Sequence, residues 1–151
     1  VSVSSLTGDL PLVLDAAGLD ALSARRPPDR LRGLLAEAHR RGREVLAPTL
    51  ACAEVARGRA RTRALEAALA RHDAARRERP AVRLVDTDFS LARQVGTILQ
   101  ASGGSTAMVV DAHVVAVCVP TGGGLVVTAD PDDIAELSAA VPAARIRTVT
   151  L

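Results

Sequence analysis

Residues 125–137 read LVVTADPDDIAEL, and this stretch decides the fold class. Three aliphatic residues form a short buried strand over 125–127. Asp130-Pro131-Asp132-Asp133 then starts a helix, with proline at the first helical position, where its missing N–H costs nothing. The order is strand, acidic turn, helix. The same order appears at residues 10–14, LPLVL, which end directly at Asp15 and lead into a short helix over 18–24. A strand leading into a helix recurs at 44–47, followed by Pro48-Thr49, without an acid in the turn, and a helix to about residue 57.

The rest of the chain fills in between these units. Asp29 is the expected N-cap of a helix in which Leu31, Leu34, Leu35 and Ala38 keep helical spacing. An arginine-rich helix is predicted over 62–77, a strand over 82–85, and a helix over 87–100, where Leu91, Val95, Ile98 and Leu99 share a face. Residues 144–151 alternate and read as a last strand. Residues 108–119 are ambiguous, because valine favours a strand by propensity. Strands alternating with helices mean an α/β fold with a mostly parallel central sheet flanked by helices. Residues 1–8 are polar and expected to be mobile, with one domain over 9–151.

Composition narrows the function classes. The chain has 151 residues, 48% hydrophobic, with one Phe and neither Trp nor Tyr. That excludes modules that stack bases on an aromatic platform. Two cysteines, Cys52 and Cys118, are too few for a disulfide scaffold or a cysteine-rich zinc site, and read as buried thiols. No apolar run reaches the roughly 18 residues of a membrane span. No signal-peptide pattern is read, so a cytoplasmic location is expected. All 19 basic residues are arginine, and eleven of them fall between Arg25 and Arg63. Arginine suits bidentate phosphate contacts, although such a run is also an ordinary solvated helix face.

Four acids stand where chemistry is expected in such sheets, at strand ends or inside apolar segments. Asp15 and Asp130 follow strands, Glu54 lies in TLACAEVARG, and Asp111 lies in MVVDAHVVAVC. Carboxylates in apolar surroundings are costly unless paired or bound to a cation. Oxygen ligands without a convergent histidine or thiolate suit Mg²⁺ or Mn²⁺. Each acid also has a plain structural reading. Asp130 could cap the helix at Pro131, Asp132 and Asp133 could complement its dipole, Glu54 could pair with Arg57, and Asp111 could cap a helix begun at Ala112.

With these residues in view, the chain resembles a PIN domain of the kind found in VapC-type toxins of toxin–antitoxin pairs. The likeness runs from about Leu10 to Leu151 through LVLDAAGL, PTLACAEVARG, VVDAHVVAVC and LVVTADPDDIAEL. It implies a three-layer sandwich and a helix, not a strand, around Asp111. It implies a Mg²⁺- or Mn²⁺-dependent endoribonuclease that hydrolyses RNA phosphodiester bonds with metal-activated water, an antitoxin partner, and a homodimer. On that likeness Asp15, Glu54, Asp111 and Asp130 are the catalytic and metal-binding acids, with Asp133 a weaker outer ligand. Thr128 would orient a water or a carboxylate, and Arg57 would pair with Glu54 or meet phosphate. Ala17 departs from the family, where a Ser, Thr or Asn often stands two positions after the first acid. The rival readings are a non-catalytic interaction module of the same fold and a nuclease acting on DNA.

Other motifs carry less. His39 and His72 sit in arginine-rich helices and are expected to be exposed. His113 is two residues from Asp111, hence on another helix face. Gly122-Gly123-Gly124 precedes a strand and lacks the lysine of a phosphate-binding loop, so it reads as a turn.

Overall fold

The computed structural model describes residues 10–151; the expected mobile segment 1–8 lies outside the described residues. Five strands form one sheet: β1 (Leu12–Leu14), β2 (Val45–Pro48), β3 (Val82–Val85), β4 (Gly123–Val127) and β5 (Arg145–Val149). Their order is β3-β2-β1-β4-β5, and every pairing is parallel. The sheet is therefore all-parallel, more uniform than the expected mostly parallel one. The connecting helices are α1 (Ala16–Ser23), α2 (Asp29–Arg40), α3 (Thr49–Val55), α4 (Arg59–Arg71), α5 (Phe89–Ser102), α6 (Val109–Cys118) and α7 (Pro131–Ser138).

Alternation along the strands sorts the core into two layers. Leu12, Leu14, Val45, Ala47 and Val127 pack with the buried faces of α1 to α4. Val13, Leu46 and Val126 point the other way, onto Val95 and Ile98 of α5, the length of α6, and Ile134 and Leu137 of α7. Both faces of the central strands are covered, which is why they read as unbroken apolar runs in sequence. The outer strands β3 and β5 carry exposed Arg83, Arg145 and Arg147, charges that discourage pairing with another sheet edge.

The valine-rich segment 108–119, ambiguous by propensity, is helical around Asp111, as the family likeness implies. It packs against α5, α7 and β2, and residues 112–118 are all buried. A helix enclosed on every side has no polar face, so periodicity could not reveal it. The arginine-rich helix runs over Arg59–Arg71, not 62–77. The chain then turns so that the His72 carbonyl accepts the Val82 N–H at 2.8 Å, starting β3. Asp29 is not an N-cap. Pro28 holds that position, and Asp29 is the first helical residue, ion-paired with Arg32 one turn on. His72 is buried, not exposed, because its ring tucks under that turn with Nδ1 3.0 Å from the Pro80 carbonyl. Cys118 is buried as expected, whereas Cys52 is only half-buried.

One glycine is dictated by sheet packing. Gly123 has φ +146°, and a Cβ there would lie 2.2 Å from the Arg145 carbonyl oxygen. No other residue lets β4 approach β5 so closely at this point. Among the described residues, no helix is long and apolar enough to cross a membrane.

Candidate functional site

The strand order reverses between β1 and β4. The chain proceeds from β1 toward β2 and β3 on one side, and from β4 toward β5 on the other. The loops leaving the carboxyl ends of these two strands diverge and leave a crevice, the usual ligand position in open parallel sheets. Asp15 follows β1, and Thr128 and Asp130 follow β4.

Asp15 is buried and is the N-cap of α1, its Oδ1 accepting the Gly18 N–H at 2.8 Å. Its own N–H donates to the Val127 carbonyl at 3.2 Å, tying it to β4. Thr128, also buried, hydrogen-bonds the Asp15 carboxyl through its side chain, and its hydroxyl accepts the Asp130 N–H at 3.0 Å. Burial raises the Asp15 pKa above the usual carboxylate value, and this outweighs the hydrogen bonds from Thr128, Gly18 and the Ala17 backbone; the nearby Asp130 adds to the rise. The backbone N–H of Ala17 thus faces Asp15, although the residue brings no polar side chain.

Asp111 lies in the first turn of α6, half-buried. Its pKa is pushed up to about 6, first by burial and then by Asp15, Asp133, Glu54 and Asp130 in turn. Those four acids arrive from α1, α7, α3 and the β4–α7 turn, so the fold gathers five carboxylates from distant parts of the chain around one space. All four of these neighbours push in the same direction.

The geometry removes some of the structural alternatives and keeps one, since Asp132 and Asp133 do stand in the first turn of α7, where they complement its dipole. Asp130 occupies the N-cap position of α7 but makes no side-chain capping bond, so its exposed carboxylate is uncommitted there. Glu54, exposed near the end of α3, forms no ion pair with the exposed Arg57 among the described residues. Asp133 is exposed in the first turn of α7. Arg57 lies just beyond α3 and is not among the groups acting on Asp15 or Asp111.

A residue that sequence reading passed over is Gly18. Its N–H donates to the Asp15 cap, and a Cβ there would sit 3.2 Å from the Leu14 Cβ and 3.3 Å from the Val127 carbonyl oxygen. A glycine three residues after an acid that ends a strand was the available signal.

The set fits a hard divalent cation by its chemistry. All the donors are carboxylate oxygens, and the four neighbours of Asp111 each disfavour its charge. Among the described residues, no three acids, histidines or thiols already stand together as a ligand set. His113 is turned inward, with Nδ1 2.7 Å from the Val109 carbonyl and Nε2 buried without a partner.

The family model for the PIN domain matches residues 16–139. The chain belongs to the PIN-domain family. PIN domains are nucleases, enzymes of the hydrolase class, and members of the family generally use divalent metals. The match begins one residue after Asp15 and takes in Glu54, Asp111, Thr128, Asp130 and Asp133. This PIN domain is similar in fold to a chain in the crystal structure of VapBC2 from Rickettsia felis bound to a DNA fragment from their promoter. The TM-score is 0.62 at 12% identity, with 93% of this chain and 99% of that one covered. It is also similar to a chain in the structure of FitAB bound to an IR36 DNA fragment, with TM-score 0.58, 14% identity, and 92% and 94% of the two chains covered. No curated protein matches the sequence significantly.

Proposed function

We propose that this PIN domain is a Mg²⁺- or Mn²⁺-dependent endoribonuclease that acts as the toxin of a type II toxin–antitoxin pair. The observation that carries the reading is the state of Asp111, a half-buried carboxyl pushed up to about 6 by burial and by four other acids. An uncompensated concentration of negative charge beside the switch point is a poor place for an RNA backbone unless a cation neutralises it.

Asp15, Glu54, Asp111 and Asp130 would hold that cation, with Asp133 farther out. When bound, the ion supplies a Lewis acid that lowers the pKa of water and stabilises charge on a phosphodiester oxygen. The protein does the positioning. Asp15 is fixed by its bond to Gly18 and by the buried Thr128 hydroxyl, so its carboxyl presents one orientation. Asp130 is free of capping and can turn toward the same space. Arg57, exposed and without an ion pair to Glu54 among the described residues, would meet the phosphate.

The partner proposal rests on the resemblance to VapC-type toxins and on the two structural neighbours, both found in complexes named VapBC2 and FitAB on DNA. We assign this chain an antitoxin that blocks the acidic crevice, and a homodimeric state.

The test is cleavage of defined single-stranded RNA and of the DNA of the same sequence, with Mn²⁺, with Mg²⁺ and with EDTA. RNA cleavage that needs the metal and disappears in Asp111→Asn supports the reading. Metal-dependent cleavage of DNA alone would replace the substrate. No cleavage of either, with no effect of metal on thermal stability, would leave a non-catalytic module of this fold.

A further inference from the structure

A second polar region lies at the opposite pole of the sheet. The acidic crevice is at the carboxyl ends of β1 and β4. The His72 carbonyl receives the N–H of Val82, the first residue of β3, so the end of α4 sits at the amino ends of the strands. There the ends of α1 and α4, the face of α2 and the turn 72–80 enclose a cavity of ≈ 580 Å³. That volume matches a small-ligand site.

Its lining is lopsided in charge. Arg25, Arg32, Arg71 and Arg79 face it with a single acid, Glu78. Arg32 is engaged by Asp29, but Arg25, Arg71 and Arg79 make no ion pair among the described residues. Arg71 is half-buried in this wall and makes no ion pair among the described residues, so an anion in the cavity would give it a partner. The buried His72 in the same wall has its pKa lowered by burial first, against its bond to the Pro80 carbonyl, with Arg79 and Arg71 adding to the fall, so both arginines lie within electrostatic reach of this wall. Leu22 and Leu35, both buried, supply an apolar floor.

We propose that this cavity binds a phosphorylated ligand of nucleotide size, with its phosphate held by Arg71 and Arg79 and its less polar body lying over Leu22 and Leu35. Arginine is the suitable residue, since its planar fork matches phosphate oxygens in pairs. The site is separate from the nuclease chemistry and needs no divalent ion.

Calorimetric titration of the full chain in EDTA with adenosine monophosphate, inorganic phosphate and adenosine tests this. Saturable binding of the nucleotide is expected, with phosphate weaker and adenosine at least about tenfold weaker than the nucleotide, as loss of a charge-assisted bidentate contact requires. Arg79→Gln, in an exposed turn, and the double variant with Arg71→Gln should each weaken the nucleotide at least about tenfold. Arg93→Gln, an exposed arginine on α5, should leave the affinity unchanged. Absence of saturable binding, or binding by Arg79→Gln and by the double variant as tight as that of the parent, overturns the site. Phosphate binding as tightly as the nucleotide overturns the assignment of size. Because no RNA and no metal are present, either failure leaves the nuclease reading where it stood.

Discussion

The Thr128 hydroxyl accepts the backbone N–H of Asp130 at 3.0 Å, and the same side chain hydrogen-bonds Asp15. One buried hydroxyl thereby couples the end of β1 to the turn after β4. Thr128→Val keeps the shape and removes the bond, leaving a buried carboxyl and a backbone N–H each short of a partner. Urea unfolding should show a loss of about 1–3 kcal/mol, and RNA cleavage should fall with it. Thr128→Ser should recover most of both. Equal behaviour of the serine and valine variants would mean that the hydroxyl does not orient Asp15.

The acidic crevice sets a pH dependence whose sign is fixed. Asp111 has a folded pKa of about 6 against an ordinary 3.8, so the folded state binds its proton more tightly than the unfolded state. Stability from this group is complete at low pH and is lost as pH rises through that interval. Asp15 acts in the same direction. His72, whose pKa is lowered, acts in the opposite one. Comparison with Asp111→Asn isolates the acid. In metal-free buffer the variant should be more stable than the parent at neutral pH, by about 1 kcal/mol after solvent screening of a half-buried group, and nearly equal to it below about pH 4. Thermal melts across that range check the slope.

Added metal should reverse the ranking. A cation that binds only the folded state stabilises it in proportion to the logarithm of its concentration over Kd. Mn²⁺ should therefore raise the melting temperature of the parent and do so much less in Asp111→Asn or Asp15→Asn. EDTA should return the parent to its metal-free value. Equal shifts in all three proteins would place the ion elsewhere.

Gly123→Ala is a structural control far from the acids. Its Cβ would meet the Arg145 carbonyl at 2.2 Å, in a backbone region with φ +146°. The strand pair β4–β5 must part to admit it, at a cost of about 2–4 kcal/mol in chemical unfolding. Near-parental stability would show that this edge is more pliable than its packing indicates.

Much of this was written in the sequence, and the gaps have physical causes. β1 and the aliphatic end of β4 were legible because both faces of a central parallel strand are buried, which leaves unbroken aliphatic runs ending at Asp15 and before Asp130; Gly123 and Gly124, read as a turn, are the first two residues of β4, since glycine carries no side chain to mark a buried face. The helix of Asp111 was illegible by periodicity, since residues 112–118 have no solvent face; only the family likeness pointed to it. The burial of His72 depends on the turn that brings Pro80 over it, a non-local event without a local signature. The five acids could be named one by one. Their convergence follows from the strand order, and strand order is not printed in any single segment.

The most direct measurement is anomalous diffraction from crystals of the chain grown or soaked with Mn²⁺. The account predicts a manganese peak in the crevice between the ends of β1 and β4, bound by carboxylate oxygens of Asp15 and Asp111 and lost in Asp111→Asn. Density showing those two carboxylates without an ion at saturating Mn²⁺, or an ion held by other residues, would contradict it.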